Sequence, residues 1–297
     1  MKNHHFALML LITLCWGFNV VPLKLALNEL SPIAATALRF MLVLLLCAPF
    51  MRWHRGRMRL VTASAVLGGA MMFGLMNLAY SLSSNVSALA IAGQLGVPFS
   101  LIMAVLFLGE RIRWRRTAGI LLAFSGVAIL TFDPAIAREW LPLALISASA
   151  MVWAVYTLLQ RRFSGISALS LQGWLAAVSI PIMTVLSLVL EPGGFAPIVQ
   201  KPWPVLGYLF YSALLSSVIG HAGFAWLLQR YPVSTLTPLT LLTPVFSVLF
   251  ATLLLGNPFT LELLLGGLVT IAGIGVITVR TAQRAPSLPP ITTVDPS

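Results

Sequence analysis

Arg39, Lys24 and His221 are ionisable residues set inside long apolar runs of this sequence. A charge at that depth is expensive, and it turns to the protein interior or to a water-filled path. Arg39 lies about eight residues, roughly 12 Å at helical rise, from the nearer end of its run. Its guanidinium can pair with a ligand carboxylate or a gating partner. Alternatively it snorkels outward or ties helices together. Lys24 lies at similar depth, and Glu29, at the end of the same run, is placed to neutralise either cation. An ion cluster of Lys24, Glu29 and Arg39 is one reading, and direct contact with a ligand is the other. His221, flanked by Gly220 and Gly223, titrates near neutral pH and can pass protons. A neutral histidine bonded to a neighbouring helix is the plainer reading. No aspartate or glutamate stands in the middle of an apolar run, so an acidic proton relay is missing.

Trp16 and Asn19 stand three residues apart and share a helix face. Trp153 and Tyr156 repeat that relation 137 residues later. An aromatic ring supplies apolar area while the amide or phenol orients a ligand, which suits a cavity wall; the alternative for a tryptophan is plain packing or an interfacial anchor. Asn77, Tyr80 and Gln94 are further polar groups in apolar surroundings, each either helix glue or cavity lining. Cys15 and Cys47 both lie in apolar runs and read as small core residues. No spacing suggests a metal site, and no phosphate-binding GxxxxGK[ST] loop is present. A cofactor is not expected.

The elements that must carry these groups follow from composition. The chain has 297 residues, 59% hydrophobic and 8% charged, more apolar surface than a soluble domain can bury. Apolar runs of about 20 residues, enough to cross a bilayer, predict spans near 6–27, 32–51, 61–82, 86–108, 115–132, 140–160, 167–190, 205–229, 233–255 and 260–280. They lack strand alternation, so the expected class is an all-α integral membrane protein of ten transmembrane helices. The first run continues past residue 20 without a small-x-small cleavage site and reads as an uncleaved span. The Pro- and Gly-rich segment from Glu191 to Pro204 is the longest predicted loop, and the tail 285–297 is expected to be disordered.

Fourteen of the eighteen cations fall on one side of these spans. They are Lys2, the four arginines at 52–59, the four at 111–116, and Arg161, Arg162, Arg230, Arg280 and Arg284. Cationic loops stay in the cytoplasm, which places both termini there. The net charge of +11 is then explained by topology and needs no nucleic acid.

Val86–Leu130 returns, shifted by 147 positions, as Val233–Ile277, with 13 of 45 residues identical. Gly119 falls on Gly266 and Gly126 on Gly273; such glycines mark turns or close helix approaches. At the same offset Gly74 meets His221. A half of five spans reverses direction on repetition, so residues 1–133 and 138–284 are expected to be inverted-topology copies. That plan belongs to secondary transporters, with the site near the midplane between the halves. Small-molecule cargo and the lipid bilayer are the expected partners; proton coupling through His221 is one reading, and facilitated diffusion or exchange without protons is the other.

Cys15-Trp16-Gly17-Phe18-Asn19, then Lys24 and Leu38-Arg39-Phe40, resembles the opening of EamA-type members of the drug/metabolite transporter superfamily. Leu108-Gly109-Glu110-Arg111 with Gly119 and Gly126 is similar to the end of that family's repeat, and Trp153 to the opening of the second. The resemblance covers the chain to about residue 280 and is closest in pattern to bacterial exporters of amino acids and their metabolites, the cysteine/O-acetylserine exporter among them. It implies ten helices around a central cavity, in the bacterial inner membrane, and export of amino acids or related metabolites. Drugs, sugars or nucleotides are the alternative cargo. Asn257-Pro258 stands where family members often carry Gly-Glu-Arg, which reads as a lost structural charge. A membrane enzyme acting on lipid-linked substrates would need clustered His, Asp, Glu or Cys at one face, and the sequence offers none.

Overall fold

The apolar runs fold into helices, and no strand occurs among the described residues. The computed structural model describes residues 3–108, 114–130, 132–160, 162–163, 165–200, 202–231, 236, 239–240 and 242–282. The first run is α1 (Asn3–Phe18) and α2 (Val20–Glu29). Pro22 has no N–H to offer Phe18, so the helix loosens at Asn19 before resuming. Pro32 occupies the first turn of α3 (Pro32–Cys47), where its missing donor costs nothing. The third run is α4 (Met58–Ala65) and α5 (Met72–Leu82), joined through a π-helical segment at Val66–Met71. Asn85 accepts a hydrogen bond from Ala88 N and so caps α6 (Val86–Ala92), which leads into α7 (Gly96–Leu108).

After α8 (Trp114–Leu130), Asp133 caps a four-residue turn, α9 (Pro134–Ala137). Then come α10 (Trp140–Gln160) and α11 (Ala168–Leu190). The stretch predicted as the longest loop is partly helical. It holds α12 (Ala196–Gln200), and α13 (Pro202–Tyr211) begins at a proline inside it. A second π-helical segment, Ser212–Ala222, continues α13 into α14 (Gly223–Leu228). The last helices are α15 (Leu242–Leu255) and α16 (Leu261–Ala282). The Gly109-Glu110-Arg111 part of the family-like motif and the tail lie outside the described residues.

Among the described residues, six helical runs are long and apolar enough to cross a membrane: Asn3–Glu29, Pro32–Phe50, Met58–Leu82, Trp140–Thr157, Ala168–Leu190 and Trp203–Leu228. Val86–Ser100, Thr117–Leu130, Leu242–Leu255 and Leu261–Val276 are shorter apolar helices. Large apolar side chains such as Leu45, Val189 and Leu253 face outward, which only a lipid surround makes favourable. Exposed Trp53, Trp114, Trp140 and Trp203 lie at or beside helix ends, where indoles suit the headgroup region. The chain is an integral membrane protein.

The packing is interleaved. α3 lies along α11, α10 along α5 and α7, and α1 along α15. Segment Val66–Met71 packs on α10 and α11, while segment Ser212–Ala222 packs on α1 and α3. The most extensive contact joins α8 and α16. There Gly273 abuts the Gly119 carbonyl and Gly126 abuts the Gly266 carbonyl, so the two helices run antiparallel. A Cβ on Gly273 would lie 2.8 Å from Gly119 O and 2.5 Å from Ala123 N. Lipid tails are as apolar as leucine, so this backbone proximity, and not solvent exclusion, holds such a pair.

Candidate functional site

The two π-helical segments bring the polar groups to the middle of the helix bundle. A π turn widens the helix by one residue and exposes carbonyls that an α-helix would close. Gly68 and Gly69 in the first segment leave room for side chains from the facing helices. Tyr156 of α10 lies across Gly68, and Ser179 of α11 covers Gly69. Ser179 Oγ donates to Leu175 O at 2.7 Å.

The second segment is decorated differently. Arg39 of α3 is 1% exposed and reaches Ser216 and Ser217, which lie 147 positions beyond Gly69 and Ala70. Its Nε and Nη2 donate to Ser217 Oγ at 3.2 and 2.8 Å, and Nη2 also lies 3.4 Å from Ser216 Oγ. Its Cζ stands 4.5 Å from the centroid of the Phe73 ring. Nη1 is buried with no hydrogen-bond partner among the described residues. A buried charge with no counter-ion and an open donor is a poor structural tie and a good anion receptor.

His221 also packs on this ring, its centroid 5.4 Å from that of Phe73. Trp16 is 5.0 Å and Trp153 5.7 Å away. Ser216 O accepts from Trp16 Nε1 at 3.1 Å and from His221 Nδ1 at 2.8 Å. Gly220 makes this possible, since a Cβ there would collide with the Trp16 indole. The paired tryptophans expected from the repeat therefore converge on one histidine.

Asn19 is buried beneath the segment, and its Oδ1 accepts from Ser212 Oγ at 2.7 Å. Tyr156 is buried with its ring centroid 5.6 Å from that of Trp153. Asn77 acts partly as helix glue, donating through Nδ2 to Thr36 Oγ1 at 2.7 Å, while its Oδ1 has no partner among the described residues. Gln94 is half-buried in the 3-10 turn Gly93–Leu95.

The expected ion cluster is corrected by the structure. Arg39 is committed to the two serines and to Phe73, so it does not join Lys24. Lys24 Nζ donates to Tyr80 O at 2.9 Å and to Ser83 O at 2.6 Å. The carboxylate tied to Lys24 through Ser83 is Glu139, which Ser83 Oγ and Ser84 Oγ both bond and to which Ser84 N donates at 2.8 Å. Glu29 stays exposed at the end of α2. Helix geometry carries Lys24 toward the loop after α5, a contact that chain separation does not reveal. Asn257, read from sequence as a lost charge, is buried and donates to Ser84 O at 2.8 Å. Glu191 accepts from Ile33 N and Ala34 N, both at 3.0 Å, at the start of α3.

Burial raises the Glu139 pKa, but the hydrogen bonds from Ser83, Ser84 and Asn85 outweigh it, and the net shift is downward. A depressed carboxyl pKa stabilises the fold above its unfolded value and ceases to do so as pH falls through the folded one. Wild type is therefore expected to melt at a higher temperature than Glu139→Gln at neutral pH. The gap should close as pH drops below about 4, as read by thermal unfolding in detergent. A constant gap down to pH 3 would mean the carboxylate charge is not what matters.

Sequence reading missed Phe73, Ser216, Ser217 and Glu139. The Ser216-Ser217 pair, one turn before Gly220-His221 in a run otherwise apolar, was the available signal. Phe73 carried none.

Comparison with known proteins places this geometry. The EamA-like transporter family model matches residues 5–132 and 140–279. A probable amino-acid metabolite efflux pump of Escherichia coli K12 is 26% identical over 92% of this chain and 94% of that protein. A probable terminal-alkyne amino-acid exporter of Streptantibioticus cattleyicolor is 30% identical over 63% of this chain and 62% of its own length. A crystal structure with 19% sequence identity superposes with a TM-score of 0.62 over 95% of this chain and 99% of the other, which fixes the fold alone. With both matched stretches together covering most of the sequence, the chain belongs to the EamA-like transporter family.

Proposed function

We propose that this protein is a secondary transporter that exports amino acids or related small metabolites from the cytoplasm by alternating access. The observation that carries the cargo class is Arg39, a buried guanidinium whose Nη1 is unbonded and which has no acidic partner among the described residues. An anion fits there, and a carboxylate matches the fork. Relatives named for amino-acid efflux and export support the same class.

Ten spans in two inverted halves, 1–133 and 138–284, supply the mechanism. Three features of the packing support this plan. The π segments Val66–Met71 and Ser212–Ala222 overlap when shifted by 147 residues. Each packs on helices of the opposite half. The contact of Gly119 with Gly273 maps, under the same shift, onto that of Gly266 with Gly126, as a two-fold axis between the halves requires. Rocking of the halves about that axis would expose Arg39 and His221 to each side in turn. The bonds of Glu139 to Ser83 and Ser84, and of Glu191 to α3, join the halves on the face opposite the arginine-rich loops, as an outer gate would.

The test is uptake of radiolabelled amino acids, cysteine and O-acetylserine included, into proteoliposomes with and without an imposed pH gradient. Saturable flux is expected for at least one of them. Gradient-dependent flux in wild type that becomes gradient-independent in His221→Ala would assign proton coupling to that histidine. No flux for any amino acid sinks the cargo class, and drugs, sugars and nucleotides follow.

A further inference from the structure

An amino acid carries an ammonium as well as a carboxylate, and among the described residues no acidic side chain bonds Arg39 or is placed to receive it. Among the described residues, Glu29, Asp133, Glu139, Glu191 and Glu262 all stand at helix ends or in the connections between helices. Whatever recognises a positive charge at the bundle centre is therefore something other than a carboxylate.

His221 has the required chemistry. A carbonyl oxygen only accepts, so the 2.8 Å contact with Ser216 O places the proton of a neutral imidazole on Nδ1. Nε2 then bears a lone pair, and no described group bonds it. Rings from α1, α5 and α10 surround His221 at 5.0 to 5.7 Å, yet the residue is only half-buried. Trp16, Phe73 and Trp153 make its surroundings electron-rich and apolar, a setting that attracts alkylammonium ions. Arg39 and His221 share the Phe73 ring, with Arg39 Cζ at 4.5 Å and the His221 centroid at 5.4 Å from its centroid, which puts both groups beside one site.

We infer that His221 Nε2 accepts a hydrogen bond from the ammonium group of a zwitterionic cargo whose carboxylate is bound by Arg39 Nη1. The inference rests on the reading of the chain as an amino-acid transporter and narrows it. An amine without a carboxylate meets the Arg39 charge unscreened. A carboxylic acid without an amine leaves the lone pair of His221 unmatched. The site thus selects molecules that carry both groups, through Arg39 of α3 and His221 of the π segment, both positioned by that one segment. Ser216 and Ser217 hold Arg39, and the Ser216 carbonyl sets the tautomer of His221.

The experiment measures uptake of labelled L-cysteine into proteoliposomes in competition with 3-mercaptopropionate, which lacks the amine, and cysteamine, which lacks the carboxylate. Should another amino acid give the larger flux, its own deaminated and decarboxylated analogues replace them. Both analogues are expected to compete at least about tenfold more weakly than the parent in wild type, the loss of one charge-assisted hydrogen bond. In His221→Phe the deaminated acid should compete about as well as the amino acid, its own inhibition constant unchanged. His221→Gln, which keeps an acceptor oxygen, should recover part of the discrimination. Equal competition by 3-mercaptopropionate in wild type, or an equal loss for both in His221→Phe, overturns the ammonium assignment while leaving amino-acid transport standing. Absence of flux for every amino acid overturns both readings.

Discussion

An Arg39→Met protein is expected to insert and fold, to melt at the wild-type temperature or above it, and to transport amino acids about 100-fold more slowly or worse. The two halves of that expectation have one cause. The guanidinium is 1% exposed and, among the described residues, paired only with neutral hydroxyls and a ring. Burying an ion without a counter-ion costs the empty protein several kcal/mol, so an apolar side chain of similar volume is neutral or stabilising. When a carboxylate occupies the site, the same substitution leaves that charge buried and unpaired, a loss of about 3 kcal/mol or more and hence about two orders of magnitude in flux. Arg39→Lys should fall between the two, since an ammonium keeps the charge but not the fork. The checks are thermal unfolding in detergent and initial uptake rates in proteoliposomes. A folded Arg39→Met protein with undiminished flux removes Arg39 from the site. A variant that fails to fold makes it a structural tie.

Gly126→Leu is expected to cost about 3 kcal/mol of stability and to sharply lower the yield of folded protein. An added Cβ there collides with the Thr270 backbone and lies 2.7 Å from Gly266 O. Backbone cannot step aside as a flexible side chain can, so α8 and α16 must separate. Gly273→Ala should show the same effect from the other end of the crossing, against Ala123 N and Gly119 O. Gly275, two residues along the same helix, has no atom of the described residues within 4 Å of an added Cβ. Gly275→Ala should therefore be neutral, or stabilising by up to about 1 kcal/mol from helix propensity. Melting curves of the three variants in one detergent decide it. Equal tolerance at Gly126 and Gly275 would mean the crossing is not tight.

The glycines at Gly119, Gly126, Gly266 and Gly273 show how far a one-dimensional pattern reaches. Their recurrence at a fixed offset announced a close approach, because glycine spacing in apolar helices is a packing signal. That the approach joins the first set to the second, and not each to its own half, is decided by the fold. The tryptophans behave likewise. Trp16 and Trp153 were legible as a repeated pair, yet their meeting at His221 depends on π turns, which carry no composition of their own.

Lys24, Arg39 and Glu139 mark the other limit. Depth in an apolar run is a local property, and it singled out both cations. Their partners are not local: Arg39 bonds residues 177 and 178 positions away, and Lys24 bonds carbonyls 56 and 59 positions away. Chain proximity suggested Glu29, whereas the helix directions selected Glu139.

The sequence by itself determined the solvent, the helical class and the residues whose burial is costly, since each follows from hydropathy and backbone satisfaction within a single span. Only the tertiary structure decided which of those residues share a site. Contacts between antiparallel helices join positions far apart in the chain. The face each helix presents there is set by packing against neighbours from distant parts of the chain.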